Sequence, residues 1–94
     1  MSFLGKDPME IIFTPQFRRQ FKKLPIPLQE EALSKIELFA ESNTHQTLRV
    51  HKLQGRLSGR CAFSVNYKYR IVFIWGEEDA SVFLLAIGDH GVYD

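Results

Sequence analysis

The apolar residues of this chain keep two different periods, and the change between them limits the fold more than any other feature. From Pro15 to Glu41 they recur every three or four positions. From Cys61 to Ile87 they alternate or run together. The first pattern belongs to helices with one buried stripe, the second to strands. Phe17, Phe21 and Leu24 share a helical face, with Arg18, Arg19, Lys22 and Lys23 outside it. Thr14-Pro15 supplies a capping hydroxyl followed by proline at the first helical position. Pro25 stops this helix and Pro27 can open the next. Leu28, Ala32, Ile36 and Phe39 form the stripe of that second helix, while Glu30, Glu31, Glu37 and Glu41 mostly face away. Two amphipathic helices across a Pro-Ile-Pro turn make a helical hairpin.

Strand signals flank this hairpin. Glu10-Ile11-Ile12-Phe13 is a short apolar run ahead of it. Beyond the polar loop 42–46, Cys61, Phe63 and Val65 alternate with Ala62, Ser64 and Asn66; Tyr69 to Trp75 and Ser81 to Ile87 are rich in β-branched and aromatic residues. Asn66-Tyr67-Lys68 and Gly76-Glu77-Glu78-Asp79 read as the turns between them. The expected fold is α+β: a compact single domain over residues 1–94, ordered β-α-α-β-β-β. The helical hairpin packs on one face of a mostly antiparallel four-stranded sheet. The other face is left partly open. The length of 94 residues suits one domain with a modest core.

The formal net charge is only +1, but its distribution is uneven. Between Ser42 and Gly76 there is no Asp or Glu, while Arg49, Lys52, Arg56, Arg60, Lys68 and Arg70 stand there with His45 and His51. A basic segment in a near-neutral protein suits a polyanion partner. Charge alone does not separate that reading from ordinary solvation of strands and loops. No apolar run approaches the roughly 18 residues of a membrane span, and Met1 to Glu10 lacks the pattern of a secretory signal. A single cysteine, Cys61, excludes an internal disulfide. These features fit the cytoplasm.

Few residues stand out chemically. The chain has no phosphate-binding glycine loop and no dinucleotide fingerprint. Three histidines and one cysteine at scattered positions lack metal-ligand spacing. Cys61 reads as a small inward-facing strand residue rather than a nucleophile. Arg70 is unusual because it lies within an apolar strand, on the face of Val72 and Ile74 and opposite Tyr69, Ile71, Phe73 and Trp75. A guanidinium there needs a partner. That partner is either a helix glutamate or a phosphate on the open face. His90 follows the last strand between glycines Gly88 and Gly91. An imidazole titrates near neutrality and can move a proton. His51, ahead of Lys52-Leu53-Gln54-Gly55, has the same capacity.

Together the run His51-Lys52-Leu53-Gln54-Gly55-Arg56-Leu57-Ser58-Gly59-Arg60, then Phe63-Ser64-Val65, Tyr69-Arg70-Ile71-Val72-Phe73, Leu85-Ala86-Ile87-Gly88-Asp89-His90 and Val92-Tyr93 resembles the RelE/ParE toxin superfamily. The nearest branches are RelE/StbE and the YafQ-like messenger RNA interferases. The resemblance is detailed from His51 to Tyr93 and reaches the whole chain through the element order. It implies the toxin of a type II toxin–antitoxin system, a ribosome-dependent endoribonuclease that cuts mRNA without a metal or other cofactor. In that chemistry the ribose 2′-hydroxyl attacks the adjacent phosphate and expels the 5′-oxygen of the next nucleotide. It needs a base, a cation for the developing charge and an acid for the leaving oxygen.

Carried over by resemblance, Arg70 grips the scissile phosphate and His90 does acid–base work. Tyr93 orients or stacks near the cut nucleotide, and His51 is a second candidate for proton transfer or phosphate contact. Lys52, Arg56, Arg60 and Lys68 would hold RNA. Two departures bear on the mechanism. Cys61 and Phe63 stand where the RelE type carries lysines, and Lys68 stands where YafQ-like proteins have an aspartate. The implied partners are a cognate antitoxin with an acidic amphipathic helix, mRNA on the ribosome, and ribosomal RNA; neither a membrane nor a small-molecule ligand is expected. The same fold also serves ParE-type inhibitors of DNA gyrase that cut no RNA, and an inactive member could act as an antitoxin-binding co-repressor.

Overall fold

The computed structural model describes residues 9–76 and 80–89. His90 and Tyr93 therefore lie outside the described residues, as does the expected turn at 77–79. Strand β1 (Glu10–Phe13) leads into helix α1 (Pro15–Lys22) and helix α2 (Ile26–Glu41). Strands β2 (His51–Lys52), β3 (Cys61–Ser64), β4 (Arg70–Trp75) and β5 (Ser81–Gly88) follow, with single 3-10 turns at Gln46–Leu48 and Gly55–Leu57. The sheet order is β1-β5-β4-β3-β2. β2, β3, β4 and β5 pair antiparallel in sequence, and β1 pairs parallel to β5. The expected α+β architecture is observed, with two helices packed against the sheet. The strand count differs, because the two-residue β2 adds a fifth strand at the edge. It is too short to show an alternation of its own. No helix of the described residues is long and apolar enough to cross a membrane.

The cap read from the sequence forms as expected. Thr14 Oγ1 accepts from the Phe17 amide at 3.3 Å and donates to the Leu84 carbonyl at 2.6 Å, so one hydroxyl starts α1 and ties it to β5. α2 begins one residue earlier than expected, at Ile26, with Pro27 inside its first turn where no amide is needed. Beyond Leu84, β5 has no β1 neighbour, since β1 pairs only with residues 81–84. α1 takes that place with side chains: Gln16 Nε2 donates to the Leu85 carbonyl at 3.2 Å, and Gln20 Oε1 accepts from the Ile87 amide at 2.9 Å. Two glutamines one helical turn apart thus satisfy backbone groups that a sheet edge would otherwise expose.

The core lies between the two helices and the sheet. Phe17, Phe39, Phe63 and Phe73 are fully buried. Phe39 reaches from α2 to stack on Phe63, with centroids 4.5 Å apart, and meets the Phe73 ring edge-on at 4.9 Å. Ile71 and Phe73 belong to this core, with Tyr69 and Trp75 packed against it. The strand parity expected for β4 therefore holds. Pairing breaks once: Val72 faces Ala86 and Phe73 faces Leu84, so Leu85 is an extra residue in β5. This bulge lets both Leu84 and Ile87 point into the core, which strict alternation forbids.

Candidate functional site

Cross-strand partners share a face, so the register maps the side of the sheet away from the core. One row runs His51, Ala62, Val72, Ala86, and the next runs Ser64, Arg70, Gly88. Cys61 and Phe63 belong to the core side. The residues of β3 that share a face with Arg70 are Ala62 and Ser64, so the two positions matched to catalytic lysines do not look onto this surface.

Arg70 opens β4 and is half-buried. Its Nη1 donates to the carbonyls of Asn66, at 2.8 Å, and Tyr69, at 3.1 Å. Both belong to the turn that precedes it. These bonds fix the guanidinium plane without neutralising its charge. Among the described residues no carboxylate pairs with it. The helix glutamate nearest this turn, Glu31, instead accepts from Asn66 Nδ2 at 2.9 Å. Asn66 also closes the turn, since its Oδ1 accepts from the amides of Lys68 at 2.9 Å and Tyr69 at 2.8 Å. One asparagine thus ties α2, the hairpin turn and the seat of Arg70 together.

Arg70 looks into an open hollow of ≈ 340 Å³ lined by Lys35, Thr47, Arg49, Ser64, Val65, Asn66 and Tyr67. Among the described residues, three cations line it and no carboxylate does. Arg49 also borders the neighbouring hollow of ≈ 360 Å³ formed by residues 43–46 and Val50. Lys35 and Arg49 were not singled out as site residues by sequence. Lys35 is the single cation on α2, four residues after Glu31, and that spacing reads as an ordinary helical ion pair. Arg49 gave one usable signal, its place in the acid-free segment.

The remaining candidates are spread around this centre. His51 is exposed on β2, with Nδ1 2.8 Å from the Arg49 carbonyl. It shares the Arg70 face but stands two strands away, roughly 12 Å between backbones at ~4.8 Å per strand and ~3.4 Å per residue. Lys52 pairs with Cys61 and so takes the opposite parity at the sheet edge. Arg56 is exposed on the Gly55–Leu57 turn. Gly55 and Gly59 frame this turn with φ of 68° and 95°, a region that a side chain resists. Arg60 is half-buried in a third hollow of ≈ 370 Å³, bounded by Thr14, Gln16, Leu57, Val72 and Ala86. Lys68 is exposed in the hairpin turn, its Nζ 5.8 Å from the Tyr69 ring centre. The described structure therefore brings Arg70 together with Arg49 and Lys35, keeps His51 on the same face at a distance, and separates Lys52 and Arg60 from that centre.

No family profile and no curated protein matches this chain. Solved structures do. A chain of the toxin–antitoxin complex RelBE2 from Mycobacterium tuberculosis is 24% identical, with a TM-score of 0.63 over 89% of this chain and 100% of that one. The archaeal RelE–RelB complex from Pyrococcus horikoshii gives a TM-score of 0.72 at 16% identity, over 90% and 98% of the two chains. YafQ from E. coli gives 0.65 at 12% identity, over 89% and 96%. The chain has the fold these toxins share, the RelE-like arrangement of a helical pair on a five-stranded mixed sheet.

Proposed function

We propose that this chain, built on the RelE-like fold, is the toxin of a type II toxin–antitoxin system and cuts mRNA in the ribosome. The observation that supports this best is the state of Arg70. Its guanidinium is half-buried, held by two backbone carbonyls and matched with no carboxylate among the described residues. A fixed, un-neutralised fork of this kind suits a phosphodiester oxygen. It would bind the scissile phosphate and stabilise the charge that develops as the 2′-hydroxyl attacks. His90 follows β5, whose last residue, Gly88, is the cross-strand partner of Arg70. It is assigned the proton transfers, with Tyr93 orienting the cut nucleotide and His51 as an alternative proton carrier or phosphate contact. Arg60, Arg56, Lys52 and Lys68 would hold RNA backbone around this centre.

The test is expression followed by mapping of cellular RNA 5′ ends. New ends inside translated messages are expected. Arg70→Ala and His90→Ala should each remove them and restore growth. Growth arrest with intact messages and damaged DNA would indicate a gyrase inhibitor instead. Arrest abolished by neither substitution would remove the proposed site. The partner is an antitoxin, as in the RelE–RelB and YoeB–YefM complexes that share the fold. An acidic amphipathic helix laid along the basic face would occupy the same hollow as the message.

A further inference from the structure

We infer that Tyr67, Arg49 and Lys35 form a second nucleotide subsite, which stacks the base and holds the phosphate next to the scissile bond. The inference rests on the proposed RNA-cleaving reading and extends it from one phosphate to a binding register.

Tyr67 is 90% exposed at the tip of the β3–β4 turn, so its ring adds almost nothing to the core. Its backbone is nonetheless held firmly. The Asn66 side chain spans Tyr67, accepting from the Lys68 and Tyr69 amides beyond it, and reaches Glu31 on α2. Arg70 binds the Asn66 carbonyl from beneath. The turn that presents the phenol is therefore the turn that seats the phosphate-binding guanidinium. An exposed ring on a fixed support, at the rim of a cationic hollow, is the arrangement by which single strands are bound with little sequence demand.

Arg49 supplies the second observation. Among the described residues it is the one non-glycine with positive φ, at φ 52° and ψ 48°. Glycine or asparagine takes this conformation at little cost, and other side chains resist it. Its backbone is bound on both sides, the amide to the Gln46 carbonyl and the carbonyl to His51 Nδ1. Its side chain has no partner among the described residues. An arginine thus occupies a position better suited to glycine, with its charge directed to the hollow that Lys35 and Arg70 also line. Residues held in this region cluster at functional sites.

The test measures affinity of the purified protein for a single-stranded 2′-O-methyl RNA decamer, whose blocked hydroxyl prevents cleavage. Tyr67→Ala should weaken binding about tenfold, and Tyr67→Phe should restore it. Arg49→Asn, which suits the backbone, should keep or raise thermal stability. It should weaken binding several-fold and lower the slope of log affinity against log salt by about 0.7. Tyr67→Ala should leave that slope unchanged. Wild-type affinity in Tyr67→Ala, or an Arg49→Asn loss that tracks lost stability, overturns the subsite. The two readings fail separately. Tyr67-dependent RNA affinity without cleaved messages would keep the subsite and end the nuclease reading. Cleavage with unaltered position and affinity in Tyr67→Ala would do the reverse.

Discussion

At the scale of single residues the arrangement turns on what a side chain is bonded to rather than on where it stands. The parity that puts Arg70 away from the core was legible, because Ile71 and Phe73 on one side leave Arg70 and Val72 on the other. Its partner was not legible. The two possibilities were a glutamate and a phosphate, and the turn carbonyls of Asn66 and Tyr69 lay outside both. Sequence could not weigh Asn66 either, since an asparagine in a turn is ordinary. Two of its side-chain bonds are local to the turn, and the third appears only when the fold brings Glu31 of α2 near. Arg70→Lys keeps the charge but loses the planar fork, so cleavage by it should fall about 10²-fold or more, near the loss in Arg70→Ala. Primer extension on a translated reporter message checks this. Asn66→Ala removes the bonds to the Lys68 and Tyr69 amides and to Glu31, and should cost about 1–3 kcal/mol in chemical denaturation. It should also impair cleavage out of proportion to that loss, because the seat of Arg70 goes with it.

At the scale of elements the sequence was most informative where a periodic stripe or a cap spoke for itself. α1, α2 and the four expected strands fall close to their expected limits. β2 escaped because two residues make no pattern. The bulge escaped because the run Val82 to Ile87 is almost wholly apolar and offers no alternation to interrupt. The rings of Phe39, Phe63 and Phe73 make α2 and the sheet one packing unit. Phe39→Ala should cost about 3–5 kcal/mol and lower the melting temperature by more than about 12 °C. Circular dichroism or calorimetry would measure it. Gln20→Ala is milder but more local: it strips the Ile87 amide of its partner. Hydrogen exchange should show that amide losing protection while the amides of β3 keep theirs.

At the scale of the whole molecule, charge and shape work together. A chain of net charge +1 carries Arg70 and His51 on the sheet face away from the core, with Arg49 and Arg60 in two separate hollows and no acid from Ser42 to Gly76. The half of the sequence that builds most of the sheet also supplies Arg49, Arg60 and Arg70, so a cationic surface arises without a high overall charge. Association with the proposed acidic antitoxin should consequently weaken as salt rises, chiefly through a slower on-rate, until apolar contacts alone remain. Stopped-flow or biosensor kinetics across an ionic-strength series would show this, and an affinity indifferent to salt would deny the basic face any part in that complex. One irregularity shapes how the chain leaves the sheet. With Leu85 an extra residue that faces no partner on β4, the final strand finishes out of step with the phase in which it began. A deletion or insertion of one residue between Leu84 and Ile87 would therefore turn Gly88 over and take it out of the row it shares with Arg70.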